Sequence, residues 1–382
     1  MCLNLMNNKE IECYIHIPFC LEKCSYCDFL SFKADEKMRA SYIEALIMEI
    51  VARAPYAKDK VVSTVFFGGG TPSCLEEGQI ARILNTLKEH YGISQDAEIS
   101  IEANPCTITE KKLGEYLESG INRISVGCQS TYDSLLKKLG RLHDMNGFVR
   151  AMELIHRAGF KNINADLMFA IPDQTCGMWR DTLEDMMRFD IRHISAYSLI
   201  LEEGTRLYDN RYSLNLCSED DAAVMYEDTA AVLEKYGFKR YEISNYAKEG
   251  FECRHNSGYW TGIPYMGFGL GASSYEDCTR FRNTDDIIKY NKTAYEPLKL
   301  RTDIQKMSDA DRYSEYMILG LRMTKGVSVS EFKRRFDRDI FDVFKHELDR
   351  HLFMGTLALK DDNIYIPERY LFVSNGILSD FI

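Results

Sequence analysis

The feature that most constrains this chain is an alternation of two kinds of segment. Short runs rich in β-branched and aromatic residues recur through the first half, each followed by a longer amphipathic stretch. The runs are "ECYIHI" (12–17), "VSTVFFGG" (62–69), "AEISIEA" (97–103), "INRISVG" (121–127), "NINADLMFA" (162–170) and "IRHISAYSL" (191–199). Helical patterns lie between them at 36–53, 76–90, 109–119, 145–158 and 177–189. Strands separated by helices read as βαβ units, and six in succession predict a parallel sheet. A flat doubly wound sheet needs strands that are apolar on both faces. Here Tyr14 and His16 fall on one face while Ile15 and Ile17 fall on the other. Polar groups along one face suit a sheet curved around a ligand. The expected fold is therefore α/β, an open (β/α)6 partial TIM-like barrel.

After residue 215 the pattern changes. "SEDDAAVMYEDTAAVLEKYG" reads as an acidic-capped helix and "KRYEISNYA" as a strand; "HNSGYWTGIPYMGFGLGASSY" reads as a Gly- and aromatic-rich loop without helical period. From about 306 onward helices return, followed by a short hairpin at 356–366, which suggests a winged-helix-like module. With 382 residues, more than one core usually organises, the expected division is a barrel at 1–215, an α+β extension at 216–300 and the winged-helix-like domain at 301–382.

Composition removes several function classes. A net charge of −11 and alternating signs in "RRFDRDIFD" argue against a nucleic-acid footprint. The N-terminal stretch has no signal-peptide pattern and no apolar run approaches a membrane span. Twelve cysteines in so long a chain do not make a disulfide framework, so a reducing, cytoplasmic setting is expected.

Three of those cysteines stand in "CLEKCSYCDF", spaced CxxxCxxC directly after the first strand. Structural zinc and ordinary iron–sulfur sites take four protein ligands. Cys13, His16 and Asp28 are the nearby residues that could close a zinc site. Without them, three thiolates around a four-iron cluster leave one iron open to a substrate. The loop lies at the C-terminal end of a barrel strand, where such folds build their active sites.

CxxxCxxC on the first βα loop resembles the radical S-adenosylmethionine (SAM) superfamily. The resemblance implies that Cys20, Cys24 and Cys27 hold a [4Fe-4S] cluster. The amine and carboxylate of SAM would chelate its open iron, and reduction would cleave a C–S bond to give a deoxyadenosyl radical. "FFGGGTPS" after the second strand then matches the family's SAM-binding turn, which points to Gly68, Gly69, Gly70, Thr71 and Pro72. No Gly-Lys-Ser/Thr follows, so this is not a phosphate loop.

More polar residues sit at or just beyond strand ends: Glu102, Gln129, Arg141 and Asp166. With Tyr14 they match the SAM contacts of the coproporphyrinogen-oxidase-like branch of the superfamily. An acidic residue suits ribose hydroxyls, and Arg141 suits the methionyl carboxylate. By the same resemblance Tyr26 stacks near the adenine and Ile200 lines the adenine site.

Within that branch the oxidase carries one more cysteine, CxxxCxxCxC, and a long segment before the cluster loop. Here Phe29 takes that position, and nineteen residues precede Cys20. "CDF", "LGRLH" and "HNSGYW" (255–260) are instead similar to the branch's haem-chaperone group. That implies a protein that binds haem and transfers it to an acceptor protein, with an electron donor reducing the cluster. His255 beside Tyr259 and Trp260 is expected to be central to haem handling. The alternative is the oxygen-independent oxidase, converting coproporphyrinogen III to protoporphyrinogen IX. Its activity is expected to be absent or very weak here.

Overall fold

A computed structural model describes residues 9–382. Six parallel strands run in chain order: β1 (Glu10–Ile17), β2 (Val61–Gly69), β3 (Gly92–Ala103), β4 (Arg123–Gln129), β5 (Asn162–Phe169) and β6 (His193–Ser198). The helices between them are α1 (Glu36–Arg53), α2 (Gln79–His90), α3 (Glu110–Ser119), α4 (Asp133–Lys138), α5 (Met145–Ala158) and α6 (Cys176–Met186). Several start where the sequence supplies a cap. Asp35, Thr109, Asp144 and Thr175 each accept a backbone N–H from the first turn of α1, α3, α5 and α6. These units form the open (β/α)6 partial barrel expected from the alternation.

The sheet continues at both edges. After α7 (Arg206–Asp209) and α8 (Glu219–Glu234), β8 (Asn245–Ala247) adds antiparallel to β6, and β7 (Lys239–Arg240) adds antiparallel to β8. The helix α9 (Arg254–Thr261) follows. Then β9 (Tyr265–Phe268) pairs parallel with β1, and β10 (Ser273–Glu276), β11 (Thr279–Asn283) and β12 (Arg301–Lys306) continue outward antiparallel. The result is a twelve-stranded sheet, ordered β12-β11-β10-β9-β1-β2-β3-β4-β5-β6-β8-β7. Arg53, wholly buried at the end of α1, ties this added edge to the barrel, bonding to the Gly267 carbonyl and pairing with Glu276. "KRYEISNYA" is thus two short strands joined by a turn rather than one strand.

Residues 254–261 correct a second expectation, because "RHNSGYWT" is helical. A turn this short has little helical period to read, and Gly258 argued against a helix. Glu12 on β1 explains the glycine: its carboxylate fills the space that a Cβ at Gly258 would need. The motif packs on the barrel's inner face, where His255 meets Thr64 and Phe66 of β2.

At the C-terminal end, helices Asp309–Gly320, Val329–Phe336 and Lys345–Met354 pack with a three-stranded sheet of β13 (Val327–Ser328), β14 (Ala358–Lys360) and β15 (Asn363–Tyr365). Among the described residues no helix is long and apolar enough to cross a membrane.

Side-chain alternation sorts the barrel into two regions. Ile11, Cys13, Ile15 and Ile17 face the helical layer in the main apolar core. The strand register carries the other face from Glu12 to Thr64 to Glu98, and from His16 to Gly68. It then runs from Glu102 to Ser125 to Asn164 to His193. The barrel interior is therefore lined with polar groups.

Candidate functional site

The loop carrying the three cysteines closes on itself and on its neighbours. Cys20 donates its backbone N–H to Phe32 O and Phe32 donates to Pro18 O, at 3.1 and 2.9 Å. Ser25 donates to Leu139 O beyond α4 and accepts from the N–H of Leu207 in α7. The tight loop is thus pinned at both ends and in the middle. Cys20, Cys24 and Cys27 are all partly exposed. Thr71 Oγ1 donates to Cys20 Sγ at 3.5 Å, and Arg141 Nη1 to Cys24 Sγ at 3.6 Å. Burial raises the Cys20 and Cys27 thiols above their ordinary range, so thiolates here call for nearby positive charge.

The two alternative ligands on β1 face other tasks. Cys13 lies wholly buried in the helix-facing core, its thiol pushed up to about 12 by burial. His16 spends Nε2 on the Leu30 carbonyl at 2.9 Å and Nδ1 on the Tyr14 hydroxyl at 3.0 Å. Among the described residues no three His, Cys, Asp or Glu side chains gather as one ion would require. Three thiols with hydrogen bonds to two of them fit a broader iron–sulfur cluster better than a single zinc ion.

The glycine turn sits against this loop, its backbone bonded to β1 and to the start of the cysteine loop. Gly70 N donates to Ile17 O and Thr71 N to Phe19 O, both at 2.8 Å. Gly69 has φ +113°, and a Cβ there would lie 2.5 Å from the His16 ring, so no other residue fits. Its N–H donates to Glu102 Oε2 at 3.2 Å, and Pro72, just after the turn, is buried. Burial, reinforced by the Asp166 carboxylate, pushes Glu102 up to about 8. Asp166 accepts from Ser125 Oγ at 2.9 Å and from Asn164 Nδ2 at 2.7 Å, which orients it.

Arg141 donates a second hydrogen bond to the Gly127 carbonyl at 2.7 Å. Gln129 follows a bulge in β4 and takes φ 69°. Its Oε1 accepts from the Tyr197 hydroxyl at 2.9 Å. Bulges re-aim side chains in this way. Tyr26 and Tyr197 pack with Leu135, Leu139, Met168 and Ile171 in a small apolar cluster beside Arg141. Tyr14, the cysteines, the glycine turn, Glu102, Gln129, Arg141 and Asp166 are thus linked around one mouth. Ile200 stands apart, two-thirds exposed just beyond β6.

His255 sits deeper in the barrel. Its ring is 1 % exposed and stacks on Phe66 with centroids 5.0 Å apart. Nδ1 shares a hydrogen bond with Thr64 Oγ1 at 2.6 Å and Nε2 with Tyr259 Oη at 2.9 Å. Burial, with Arg123 nearby, lowers it to about 3, so it is neutral with both nitrogens engaged. Sequence reasoning missed Ser125, Asn164 and Tyr197, which orient Asp166 and Gln129, and Glu98, which caps α9. Period-two counting along each strand would have found Asn164 two residues before Asp166 and Glu98 four before Glu102.

The radical SAM superfamily model matches residues 14–186, and the HemN C-terminal domain model matches 307–372. Over 99% of its length the chain is 34% identical to the heme chaperone HemW of Lactococcus lactis subsp. lactis (strain IL1403), covering 98% of that protein. The chain belongs to the HemW family. The HemW of Bacillus subtilis (strain 168) is 33% identical, over 97% of this chain and 98% of the relative. Among solved structures, the coproporphyrinogen III oxidase HemN of Escherichia coli, a radical SAM enzyme, superposes with a TM-score of 0.86. That match covers 100% of this chain and 92% of the other at 22% identity, so what this HemW-family chain shares with HemN there is the fold.

Proposed function

We propose that this chain carries haem and passes it to an acceptor protein, with a [4Fe-4S] cluster and SAM bound at the barrel mouth. The observation that carries the reading is the convergence of Cys20, Cys24 and Cys27 with the glycine turn, Glu102, Arg141 and Asp166, in a chain of the HemW family. The three cysteines hold the cluster as thiolates. Once bound, the cluster supplies an open iron for SAM and an electron received from a partner donor protein.

The protein's own groups divide the work around that centre. Thr71 and Arg141 donate to cysteine sulfur and offset its negative charge. The bare backbone of Gly68–Gly70 admits the methionyl end. Asp166, held by Ser125 and Asn164, accepts from ribose hydroxyls. Glu102 keeps its proton near neutral pH and so avoids a second carboxylate charge beside Asp166. Tyr26 and Tyr197 give the base an apolar wall. His255 takes part in haem handling by fixing α9, the helix that carries Trp260.

The deciding experiment is anaerobic reconstitution followed by two assays on one preparation. A haem titration should give a Soret band and release to an acceptor, and incubation with coproporphyrinogen III, SAM and reductant should give no protoporphyrinogen. Multiple turnovers of coproporphyrinogen without haem binding would replace this reading with the oxidase.

A further inference from the structure

We infer that haem is held by its macrocycle face in the cavity between the C-terminal end of α9 and the C-terminal module. This rests on the haem-carrier reading above and gives it a place.

The cavity measures about 420 Å³ and its walls include Trp260, Tyr275, Tyr316, Leu319, Met323 and Phe336. They come from α9, from β10, from helices Asp309–Gly320 and Val329–Phe336 and from the turn that joins the two helices, so a ligand there touches both the barrel and the module. The aromatic and aliphatic walls share the lining with charged side chains, Arg312, Glu315, Lys325, Glu331 and Arg335, and so suit a flat apolar ligand that also carries charge. Trp260 packs with Tyr241, Ala247 and Met323 and has the Arg322 guanidinium 4.3 Å from its ring. Its indole Nε1 is buried without a hydrogen-bond partner among the described residues.

The charges at the cavity select the ligand's polar end. Glu315 is paired with Arg280 at 2.6 Å, and Glu331 with Arg334 and Arg335, each at 2.6 Å. Lys325 on the lining is exposed, with no ion pair or hydrogen bond among the described residues. The unspent charge is positive and suits carboxylates on a ligand whose body is apolar and flat. A porphyrin with its propionates has that chemistry.

The barrel mouth does not have it, being lined by Glu102, Asp166, Ser125, Asn164 and Arg141. His255 would have to break two hydrogen bonds to reach iron. Among the described residues no His or Cys lines the cavity, and Met323 supplies the one sulfur. Recognition therefore depends on the macrocycle more than on iron ligation. The "HNSGYW" motif works on two sides: His255 and Tyr259 hold the helix to the barrel, and Trp260 walls the cavity.

The test is a haem titration of the reconstituted full chain, followed by the Soret band, for wild type, Leu319→Trp and Lys325→Glu. Leu319 is half-buried on the wall, so the larger ring fills the cavity. That variant should lose about tenfold or more in affinity with cluster content and melting temperature unchanged. Lys325→Glu should lose about two- to fivefold, and it remains decisive if Leu319→Trp fails to fold. Iron-free protoporphyrin should compete with haem to within about tenfold. Both variants binding as wild type would move the site elsewhere and leave the haem-carrier reading intact. Wild type binding no haem would remove both.

Discussion

Glu98 Oε1 accepts the backbone N–H of His255 at 3.2 Å, and Oε2 accepts that of Arg254 at 3.1 Å. The first turn of α9 is thus capped by a carboxylate on β3, distant in sequence, rather than by a neighbouring residue. The same strand carries Glu102 at the mouth. One rigid strand therefore positions both the carboxylate at the mouth and the helix that bears Trp260.

Removing His255 should loosen that arrangement. His255→Ala deletes a buried ring and two hydrogen bonds, at a cost of about 2–4 kcal/mol. Chemical denaturation should register this loss. Haem affinity should fall with it, while the iron content of the barrel remains.

Each cysteine of the loop should be required for the cluster. Cys20→Ala, Cys24→Ala or Cys27→Ala should abolish it, as read by anaerobic iron and sulfide analysis with EPR. Cys217→Ala should retain it, since that thiol stands outside the CxxxCxxC loop and donates to the Ser218 carbonyl. Stoichiometric zinc with no cluster after reconstitution would sink the assignment.

SAM should perturb the EPR signal of the reduced cluster. Asp166→Ala removes the acceptor held by Ser125 and Asn164, and should weaken the effect by about tenfold in SAM concentration without loss of iron. An unchanged spectrum at saturating SAM in the wild type would refute the open-iron reading.

Glu12 sets a pH dependence. Burial, reinforced by Glu10 and Glu98, raises its carboxyl from the ordinary 4.5 to about 9; Arg254 opposes this, and His255 Nδ1 lies 3.8 Å away. Between those values the folded chain keeps a proton that the unfolded chain has lost. This contribution to stability is therefore full below 4.5 and is lost as pH rises toward about 9. Glu12→Gln should raise the melting temperature relative to wild type near pH 8, by roughly 2–4 °C for each kcal/mol recovered. Melting curves at low and high pH will show whether the gain vanishes below 4.5.

Coproporphyrinogen III should not be decarboxylated over multiple turnovers. Where the oxidase pattern has a further cysteine, Phe29 stands 69% exposed on the cysteine loop. Mass spectrometry of an anaerobic reaction with SAM and reductant checks this.

The sequence by itself determined the barrel, because helical and strand periods are local and each βα unit carries its own caps, as at Asp35 and Thr175. It also determined the cysteine loop and the glycine turn, since both are set by spacing within a few residues. Only the tertiary structure decided what depends on contacts across strands. Gln129 reaches Tyr197 because β4 bulges before it, a register shift that no local pattern announces. "RHNSGYWT" is a helix because Glu98 caps it and Glu12 leaves room only for glycine at 258, and both carboxylates lie more than 150 residues upstream. His255 therefore reads in sequence as an available imidazole and is, in the fold, a neutral buried ring with both nitrogens engaged. Burial and partner choice are properties of packing, and packing is set by residues that the chain brings together only when folded.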